Sequence, residues 1–278
     1  RMKNYTLRKG DKGQEVERLQ SKIDTDADGS FGPATEAAVR KYQEATGLAV
    51  DGIAGTNTLT HMDIPVIAGI DVSKHQGEID WDMVVMDNVK FAYIKATEGQ
   101  TYVSKPFYDQ IAGAREVGLT VGAYHYSRPD TQEGMGDAIR EAEAFLKIYD
   151  PKCGDLIPGL DLEAGVKVDD GYNVDWALTW LSHIEKQTGI RPIIYTASWY
   201  LNGYVRRAED GEAIDALASY PLWWCEYRSS NTTNPYKDMS PFEKWDIWQW
   251  TGSGSTLGVK GRCDKNWMAG GKLCSLTI

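Results

Sequence analysis

Histidine and cysteine are scarce in this chain of 278 residues, which has four of each. The four histidines are far apart in sequence, and the four cysteines show no CxxC spacing: His61, His75, His125 and His183; Cys153, Cys225, Cys263 and Cys274. A zinc site or a Cys/His nucleophile therefore has little support, and we expect neither a metal nor a cofactor. We expect the cysteines to be mostly free and buried, with Cys263–Cys274 as the one bridge considered.

Long apolar runs and basic stripes are also missing. No run approaches the ~20 apolar residues that cross a bilayer, so no membrane insertion is expected. The net charge is −10, and all of the acidic excess lies after residue 62. Binding to phosphates needs a concentration of Lys and Arg, so nucleic acid is not an expected partner. The first residues lack the apolar core of a signal peptide, which favours synthesis in the cytoplasm or export by another route.

A short internal repeat marks the first part of the chain. The segments DGSFGPATEAAV (28–39) and DGIAGTNTLT (51–60) share the pattern DGxxGxxT. Each Asp-Gly predicts a turn, and Pro33 suits the first position of a helix. With a further helix predicted over 13–23, we expect a small all-α domain of three helices at 1–62, a linker at 63–67 and a larger domain at 68–278. The spacing in DTDADG (24–29) also opens calcium loops, but its twelfth position is Thr35 rather than Glu.

Strand-like runs alternate with helical patterns through the larger domain. Helices are predicted over 105–117, 137–149 and 173–188, and those between the last strands are short or missing. The predicted strands are 68–73, 91–98, 120–127, 157–163, 191–197, 221–227, 246–251 and 259–265. Strand–helix–strand repetition is typical of a parallel sheet. Eight strands in about 210 residues predict an α/β barrel.

Polar side chains lie at or after the ends of nearly all these strands. The active sites of such barrels lie at the C-terminal ends of the strands. The candidate site is therefore a ring of side chains from many strands: Asp71, Glu98, Tyr124, His125, Asp161, Glu163, Tyr195, Trp223, Glu226, Gln249 and Asp264.

The segment IPGLDLEAG (157–165) carries two of these acids, Asp161 and Glu163, one residue apart. Residues i and i+2 of a strand face the same way, so both carboxylates would project into the barrel mouth. Each charge raises the cost of ionising the other, so one carboxyl tends to keep its proton. A protonated carboxyl beside an ionised one suits the cleavage of glycosidic bonds, although a salt-bridged structural pair is an equal alternative from this motif alone.

Aromatic residues favour a sugar substrate. All ten tryptophans follow residue 80, and five cluster near the last strands: Trp223, Trp224, Trp245, Trp248 and Trp250. Sugar rings have apolar faces that pack on flat aromatic side chains. We expect about two of these tryptophans to reach the substrate and the others to belong to the core.

Two family resemblances cover most of the chain. The segments LRKGDKGQEVERLQ, DGSFGPATEAAVRKYQ and GLAVDGIAGTNTL resemble a peptidoglycan-binding domain. The segments GIDVSKHQGEIDW, FAYIKATEG, PGLDLE, WDIWQWT and GVKGRCDKNWM resemble the lysozymes of glycoside hydrolase family 25. That resemblance implies a modified TIM-like (β/α)5(β)3 barrel that cuts the β-1,4 bond between N-acetylmuramic acid and N-acetylglucosamine. Cys225 and Cys263 depart from the usual pattern of the family.

The second resemblance also implies roles for the site residues. Glu163 would be the acid, and Asp161 would orient the substrate 2-acetamido group or act as the nucleophile. Asp71 and Asp264 would complete the acidic ring. The sugar site would be lined by Tyr124, Tyr195, Trp223 and Gln249, and we add Glu98 to this set from its position at a strand end.

The expected function is therefore a muramidase that acts on bacterial peptidoglycan, with residues 1–62 as the wall anchor. A phage endolysin released from the host cytoplasm at lysis is the favoured setting, and a bacterial autolysin is the alternative. Three other functions stay open: a non-catalytic wall-binding protein, an amidase or peptidase, and a chitinase-like glycosidase. Both a retaining, substrate-assisted mechanism and an inverting one are compatible with the sequence.

Overall fold

The computed structural model of the chain describes residues 6–23, 25–46, 48–55, 58–59, 62, 67–166, 171–227, 237–269 and 272–278. In the small domain, two helices are described in full, α1 (Gln14–Gln20) and α2 (Pro33–Ala45). Val16, Leu19 and Val39 are fully buried in its core. The third predicted helix and the linker lie largely outside the described residues, so the domain boundaries stay a prediction.

The DGxxGxxT repeat corresponds to a repeated hydrogen-bond network around a buried glutamine. The side-chain Nε2 of Gln20 donates to Asp28 Oδ1 (2.8 Å) and Thr35 Oγ1 (2.9 Å), and its Oε1 accepts from the Gly29 amide (2.8 Å). Gln43 makes the equivalent bonds to Asp51 Oδ1, Thr58 Oγ1 and the Gly52 amide. The Asp and Thr of the motif therefore satisfy a buried amide, as buried polar groups require. Residue 24, where the calcium-loop pattern begins, lies outside the described residues.

Eight strands close into a barrel, and a ninth short strand extends one of them. The strands are β1 (Ile67–Val72), β2 (Phe91–Glu98), β3 (Tyr102–Val103), β4 (Thr120–Tyr126), β5 (Gly159–Asp161), β6 (Ile193–Ala197), β7 (Leu222–Cys225), β8 (Ile247–Gly254) and β9 (Cys263–Met268). Strand β3 pairs with the end of β2, and the barrel order is β1-β2-β4-β5-β6-β7-β8-β9 and back to β1. The predicted eight-stranded barrel is confirmed.

The last barrel strand corrects the expectation of a parallel sheet. From β1 to β8 the neighbouring barrel strands are parallel, but β9 is antiparallel to both β8 and β1. The segment between β8 and β9, residues 255–262, contains no helix. A connection of this length is too short for the crossover that a parallel neighbour requires, so the chain turns back.

Helices cover the outside of the barrel. The larger domain contains α3 (Trp81–Met86), α4 (Phe107–Glu116), α5 (Gly136–Ile148), α6 (Tyr172–Thr188), α7 (Gly211–Ala218) and α8 (Lys272–Ser275). The three helices predicted from the sequence correspond to α4, α5 and α6 within two residues at each end. In the described residues, no helix is long and apolar enough to cross a membrane.

Alternation along the strands separates two apolar cores. Odd-numbered side chains such as Phe91, Tyr93, Ile193 and Trp223 fill the barrel interior. Their even-numbered neighbours pack outward against the helices, among them Ala92, Ile94, Ile194, Leu222 and Trp224. Because the period of a strand is two, one parity faces inward within each strand, even on β4 and β9, where Tyr124 and Met268 point inward, and odd on the strands of the residues just named. This parity decides which polar residues reach the barrel mouth.

The cysteines are free, as expected, but not all of them are buried. Cys153 and Cys274 are exposed. Cys263 is buried in the barrel wall on β9, whereas Cys274 lies at the surface on α8. The Cys263–Cys274 bridge is therefore not formed.

Candidate active site

A cavity of about 140 Å³ opens among the carboxyl ends of the barrel strands. Eight of the nine residues predicted for the catalytic and sugar sites line it, and Glu98 does not. The lining side chains are Asp71, Tyr124, Asp161, Glu163, Tyr195, Trp223, Tyr227, Gln249 and Asp264. Each lining residue on a strand has the inward parity of that strand, which is odd on β1, β5, β6, β7 and β8 and even on β4 and β9.

Asp161 and Glu163 both face the cavity from the end of β5. The backbone here is fixed because the Asp161 carbonyl oxygen accepts hydrogen bonds from the Ser127 amide (3.0 Å) and the Ser127 hydroxyl (2.8 Å). The Asp161 side chain is buried, and no described group forms a hydrogen bond with its Oδ1. A buried carboxyl oxygen without a partner is costly unless a proton or a ligand satisfies it.

Both carboxyls of this pair favour the protonated form. Burial raises the pKa of Asp161 well above its usual value, and the charge of Glu163 raises it further. Burial also raises the pKa of Glu163, and Asp264 adds to the effect. The nearby ammonium group of Lys95 lowers the pKa of both. The pair therefore retains a proton at higher pH than free carboxyls do.

Two amide side chains fix the carboxylate of Asp71. Gln249 Nε2 and Asn266 Nδ2 both donate to Asp71 Oδ2 at 2.8 Å. The oxygens of these amides accept from the Tyr195 hydroxyl (2.9 Å) and from the Trp223 indole N–H (2.7 Å). Each amide is thus oriented by a second bond, and Asp71 has a defined position in the cavity.

Asp264 is the fourth acid of the ring. It lies opposite Asp71 in the antiparallel pairing of β9 with β1. Burial raises the pKa of Asp264 to about 6. For Asp71, burial and the charge of Asp264 raise the pKa well above its usual value, while the bonds from Asn266 and Gln249 oppose the rise. Four carboxyls with raised pKa values thus share one small cavity, a pattern that is typical of functional sites.

Glu98 lies beside the cavity in a network of ion pairs. Its carboxylate accepts from Lys95 Nζ (2.7 Å) and from Arg128 Nη1 (3.2 Å). Burial raises the pKa of Glu98, but these two cations outweigh it, and the pKa is lowered. Lys95 Nζ also lies 4.3 Å from the ring centroid of Tyr126, a cation–π contact. The sequence reasoning missed Lys95, the cation that acts on Asp161 and Glu163.

Trp223 forms the floor of the cavity rather than an exposed platform. Its side chain is 1% exposed and stacks on Tyr93 with a centroid separation of 4.6 Å. Tyr195 and Tyr124 pack against it edge-on, at 5.0 Å and 6.0 Å. Of the five clustered tryptophans, Trp223 lines this cavity and the other four pack outside the barrel. The expectation that two of them reach the substrate is therefore not met at this cavity.

His125 and Glu226 point away from the mouth, contrary to expectation. His125 Nε2 lies 2.8 Å from Glu141 Oε2, in a fully buried contact between β4 and α5. Glu226 accepts from the Trp224 indole N–H (3.2 Å). Both residues have outward parity, so they cannot share a face with Tyr124 or Trp223. Tyr227, which the sequence reasoning missed, has inward parity and follows β7.

The arrangement can perform acid–base chemistry on a bound sugar. It provides carboxyls with raised pKa values, one of which, Asp71, is oriented by two amides, and a floor of aromatic rings. General acid catalysis needs a carboxyl whose pKa is raised towards the working pH, and Glu163 meets that requirement at the edge of the cavity.

Comparison with known families identifies the two parts of the chain. Residues 70–259 match the model of glycosyl hydrolases family 25. Residues 13–62 match the model of a putative peptidoglycan binding domain. The first match covers more than half of the chain.

Individual relatives agree with this assignment. Lysozyme M1 of Streptomyces globisporus is 31% identical over 219 residues, which are 75% of this chain and 70% of that protein. The protein YegX of Escherichia coli K12 is 34% identical over 209 residues, which are 72% of this chain and 68% of YegX. The bacterial lysozyme of Streptomyces coelicolor has a similar structure, with a TM-score of 0.65 at 27% identity, covering 77% of this chain and 97% of that one.

Proposed function

The chain belongs to the family 25 glycosyl hydrolases, and we propose that it is a muramidase that hydrolyses the β-1,4 bond between N-acetylmuramic acid and N-acetylglucosamine in bacterial peptidoglycan. The observation that carries the proposal is that Asp161 and Glu163 face one cavity together with Asp71 and Asp264. The similarity to Lysozyme M1 supports this choice of substrate.

Glu163 acts as the general acid in this proposal. Its raised pKa keeps a proton available for the leaving oxygen. The Glu163 side chain is less buried than that of Asp161, so it is the more accessible of the two to the glycosidic bond. Loss of a general acid typically costs 10²- to 10⁴-fold in turnover, and we assign a loss of this size to Glu163.

Asp161 acts on the 2-acetamido group of the substrate. Its buried Oδ1 has no hydrogen-bond partner among the described residues, and a substrate amide N–H would satisfy it. An acetamido group held in this way can attack the anomeric carbon through its carbonyl oxygen, which gives net retention. Substrate-assisted families are known exceptions to the two-carboxylate geometry. Proton NMR of the first product tests this step: the proposal expects the β-anomer, and an initial α-anomer would contradict it.

Residues 1–62 anchor the enzyme to its substrate. The match of residues 13–62 to a peptidoglycan-binding model supports this role. A tethered catalytic domain meets its insoluble substrate at a high effective concentration. The anchor also offsets repulsion between an anionic wall and a chain with a net charge of −10.

The bond that is cleaved tests the proposal against its alternatives. Purified walls are digested, and the new reducing ends are reduced and identified by mass spectrometry. A muramidase yields reduced N-acetylmuramic acid, whereas a glucosaminidase yields reduced N-acetylglucosamine. Release of free amines would indicate an amidase or peptidase. Cleavage of chitin in preference to walls would indicate a chitinase-like enzyme, and walls that stay intact would indicate a binding protein without activity.

For the biological setting, we propose an endolysin that acts on the wall from inside the host after a separate protein permeabilises the membrane. The pairing of a wall-binding domain with a muramidase domain supports this setting. The enzyme is produced in the bacterial cytoplasm with and without a pore-forming protein. The proposal expects lysis only with the pore, and lysis without it would favour an exported autolysin.

A further inference from the structure

One tryptophan has an exposed indole at the carboxyl edge of the barrel. The side chain of Trp199 is 53% exposed, while the other nine tryptophans are buried or partly buried. Trp199 lies two residues after the end of β6 at Ala197. The carboxyl ends of the parallel strands meet at one edge, so Trp199 lies on the same edge as the cavity. Trp199 does not line that cavity.

Its neighbours place Trp199 beside the segment that follows Glu163. The indole packs edge-on to the ring of Tyr200, with centroids 5.7 Å apart. Tyr200 is fully buried, and a methyl group placed on Gly165 would lie 3.3 Å from its hydroxyl oxygen. Tyr200 therefore connects Trp199 to the chain two residues beyond the proposed acid.

The backbone around Trp199 is anchored rather than loose. The segment Ser198–Tyr200 continues into a π-helical turn, Leu201–Val205. Tyr200, Leu201 and Val205 are all fully buried, and the ring of Tyr204 lies 4.7 Å from that of Tyr200. π-Helical turns are rare and occur frequently at functional sites. An exposed indole on a fixed segment is pre-organised for a ligand and contributes little to the core.

The cavity is small, so the other sugars of a bound glycan strand must lie outside it. Its volume of about 140 Å³ is small beside the 300–1,000 Å³ of sites that enclose drug-sized ligands. Sugars on either side of the reacting ring must therefore lie along the rim. A flat indole matches the apolar face of a pyranose ring, and the glycan of peptidoglycan presents one such face per residue.

We infer that Trp199 is a second sugar-binding platform, which stacks on an N-acetylated sugar of the glycan strand beyond the two that flank the cleaved bond. This inference rests on the proposed function of the cavity. It assigns Trp199 to binding and not to the chemical step. Trp199 therefore matters for long glycan strands and not for substrates that occupy only the cavity.

The experiment compares three variants on two substrates. Trp199→Ala removes the platform, Trp199→Phe keeps an aromatic face, and Met86→Ala is the matched control. Met86 is 73% exposed and ends α3, which leads towards the amino end of β2 on the opposite side of the barrel. The substrates are soluble glycan strands from walls and a short aryl glycoside that fills only the cavity.

We expect Trp199→Ala to lower kcat/KM on glycan strands by roughly five- to tenfold, through KM, because one apolar sugar face loses its contact. Hydrolysis of the aryl glycoside is unchanged, Trp199→Phe restores most of the loss, and Met86→Ala matches the parent enzyme. Equal kcat/KM values for Trp199→Ala and the parent on both substrates would overturn the inference and leave the proposed function intact.

A fluorescence-quenching experiment tests the Trp199 platform independently of the proposed function. Acrylamide quenches exposed indoles, so soluble glycan strands should protect the parent protein and not Trp199→Phe. This measurement does not depend on cleavage of the glycan. A parent enzyme that cleaves no glycan contradicts the proposed function, whereas quenching that glycan strands leave unchanged in the parent contradicts the platform itself.

Discussion

Asp71 and Asp264 face each other as directly opposed residues of the antiparallel pair of β1 and β9. Like charges in opposed positions destabilise a sheet, and burial adds to the cost of ionising them. The barrel thus carries an unfavourable pair of acids in its mouth, beside Asp161 and Glu163. An arrangement that lowers stability at this position is understandable only if the acids serve the substrate.

This pair makes stability depend on pH in a defined direction. The pKa of Asp264 is raised to about 6 in the folded state, so the folded state prefers the protonated form. Below the unfolded pKa there is no penalty, and the folded state loses stability as pH rises through 6. We expect Asp264→Asn to stabilise the protein by roughly 1–3 kcal/mol at pH 7.5 and by little at pH 4. Thermal unfolding at both pH values measures this, and an equal gain at each would contradict it.

The two amides that donate to Asp71 oppose the rise in its pKa that burial and Asp264 cause. Asn266 is buried, donates to Asp71 Oδ2 and does not line the cavity. Asn266→Leu removes one donor, so the pKa of Asp71 rises further. We expect kcat to fall by about 10- to 100-fold and the acidic limb of its pH profile to move to higher pH. A lower kcat with an unmoved profile would assign Asn266 to packing alone.

Changes at the buried glutamines of the small domain should separate wall binding from catalytic activity. Replacing Gln20 or Gln43 with Leu leaves several polar groups without partners, at a cost of about 1–3 kcal/mol for each unsatisfied group. We expect either variant to lose wall binding in a sedimentation assay and to keep its activity on a short soluble substrate. Arg18→Ala, an exposed change on α1, is the control that should bind normally. Lower activity on the soluble substrate would mean that the two domains are not independent.

Burial predicts which thiols react. The Cys225 thiol donates to Gln249 Oε1 at 3.2 Å, and burial raises its pKa to about 12. Burial also raises the pKa of Cys263 to about 12, whereas Cys153 and Cys274 are exposed. We expect iodoacetamide to modify Cys153 and Cys274 first and to leave activity unchanged. Peptide mass spectrometry identifies the sites, and rapid labelling of Cys225 would contradict this account.

The sequence predicted the barrel because its strands and helices have strong, regular patterns. It also predicted that Asp161 and Glu163 share a face, since a period of two is enough to establish this. Consistent use of the same period would have excluded His125 and Glu226, which have the opposite parity to their inward-facing neighbours. It would also have identified Tyr227, two residues beyond the inward-facing Cys225.

Other features depend on tertiary structure that no local pattern reveals. The antiparallel direction of β9 follows from a short connection, and α3 is too short to show a clear helical period. Lys95 belongs to a strand with a register shift between Lys95 and Thr97. Its ammonium group contacts Glu98 and acts on Asp161 and Glu163 from β2, two strands away from β5, so its role is visible only once the strands are assembled.

The assignment of the acid is tested most directly by changing the leaving group. A dinitrophenyl leaving group departs without a proton, whereas the sugar oxygen of a natural glycan needs one. We predict that Glu163→Gln loses about 10²- to 10⁴-fold in kcat on glycan strands, still binds walls, and loses far less on the dinitrophenyl glycoside. Equal losses on the two substrates would contradict the role of Glu163 as the group that donates the proton.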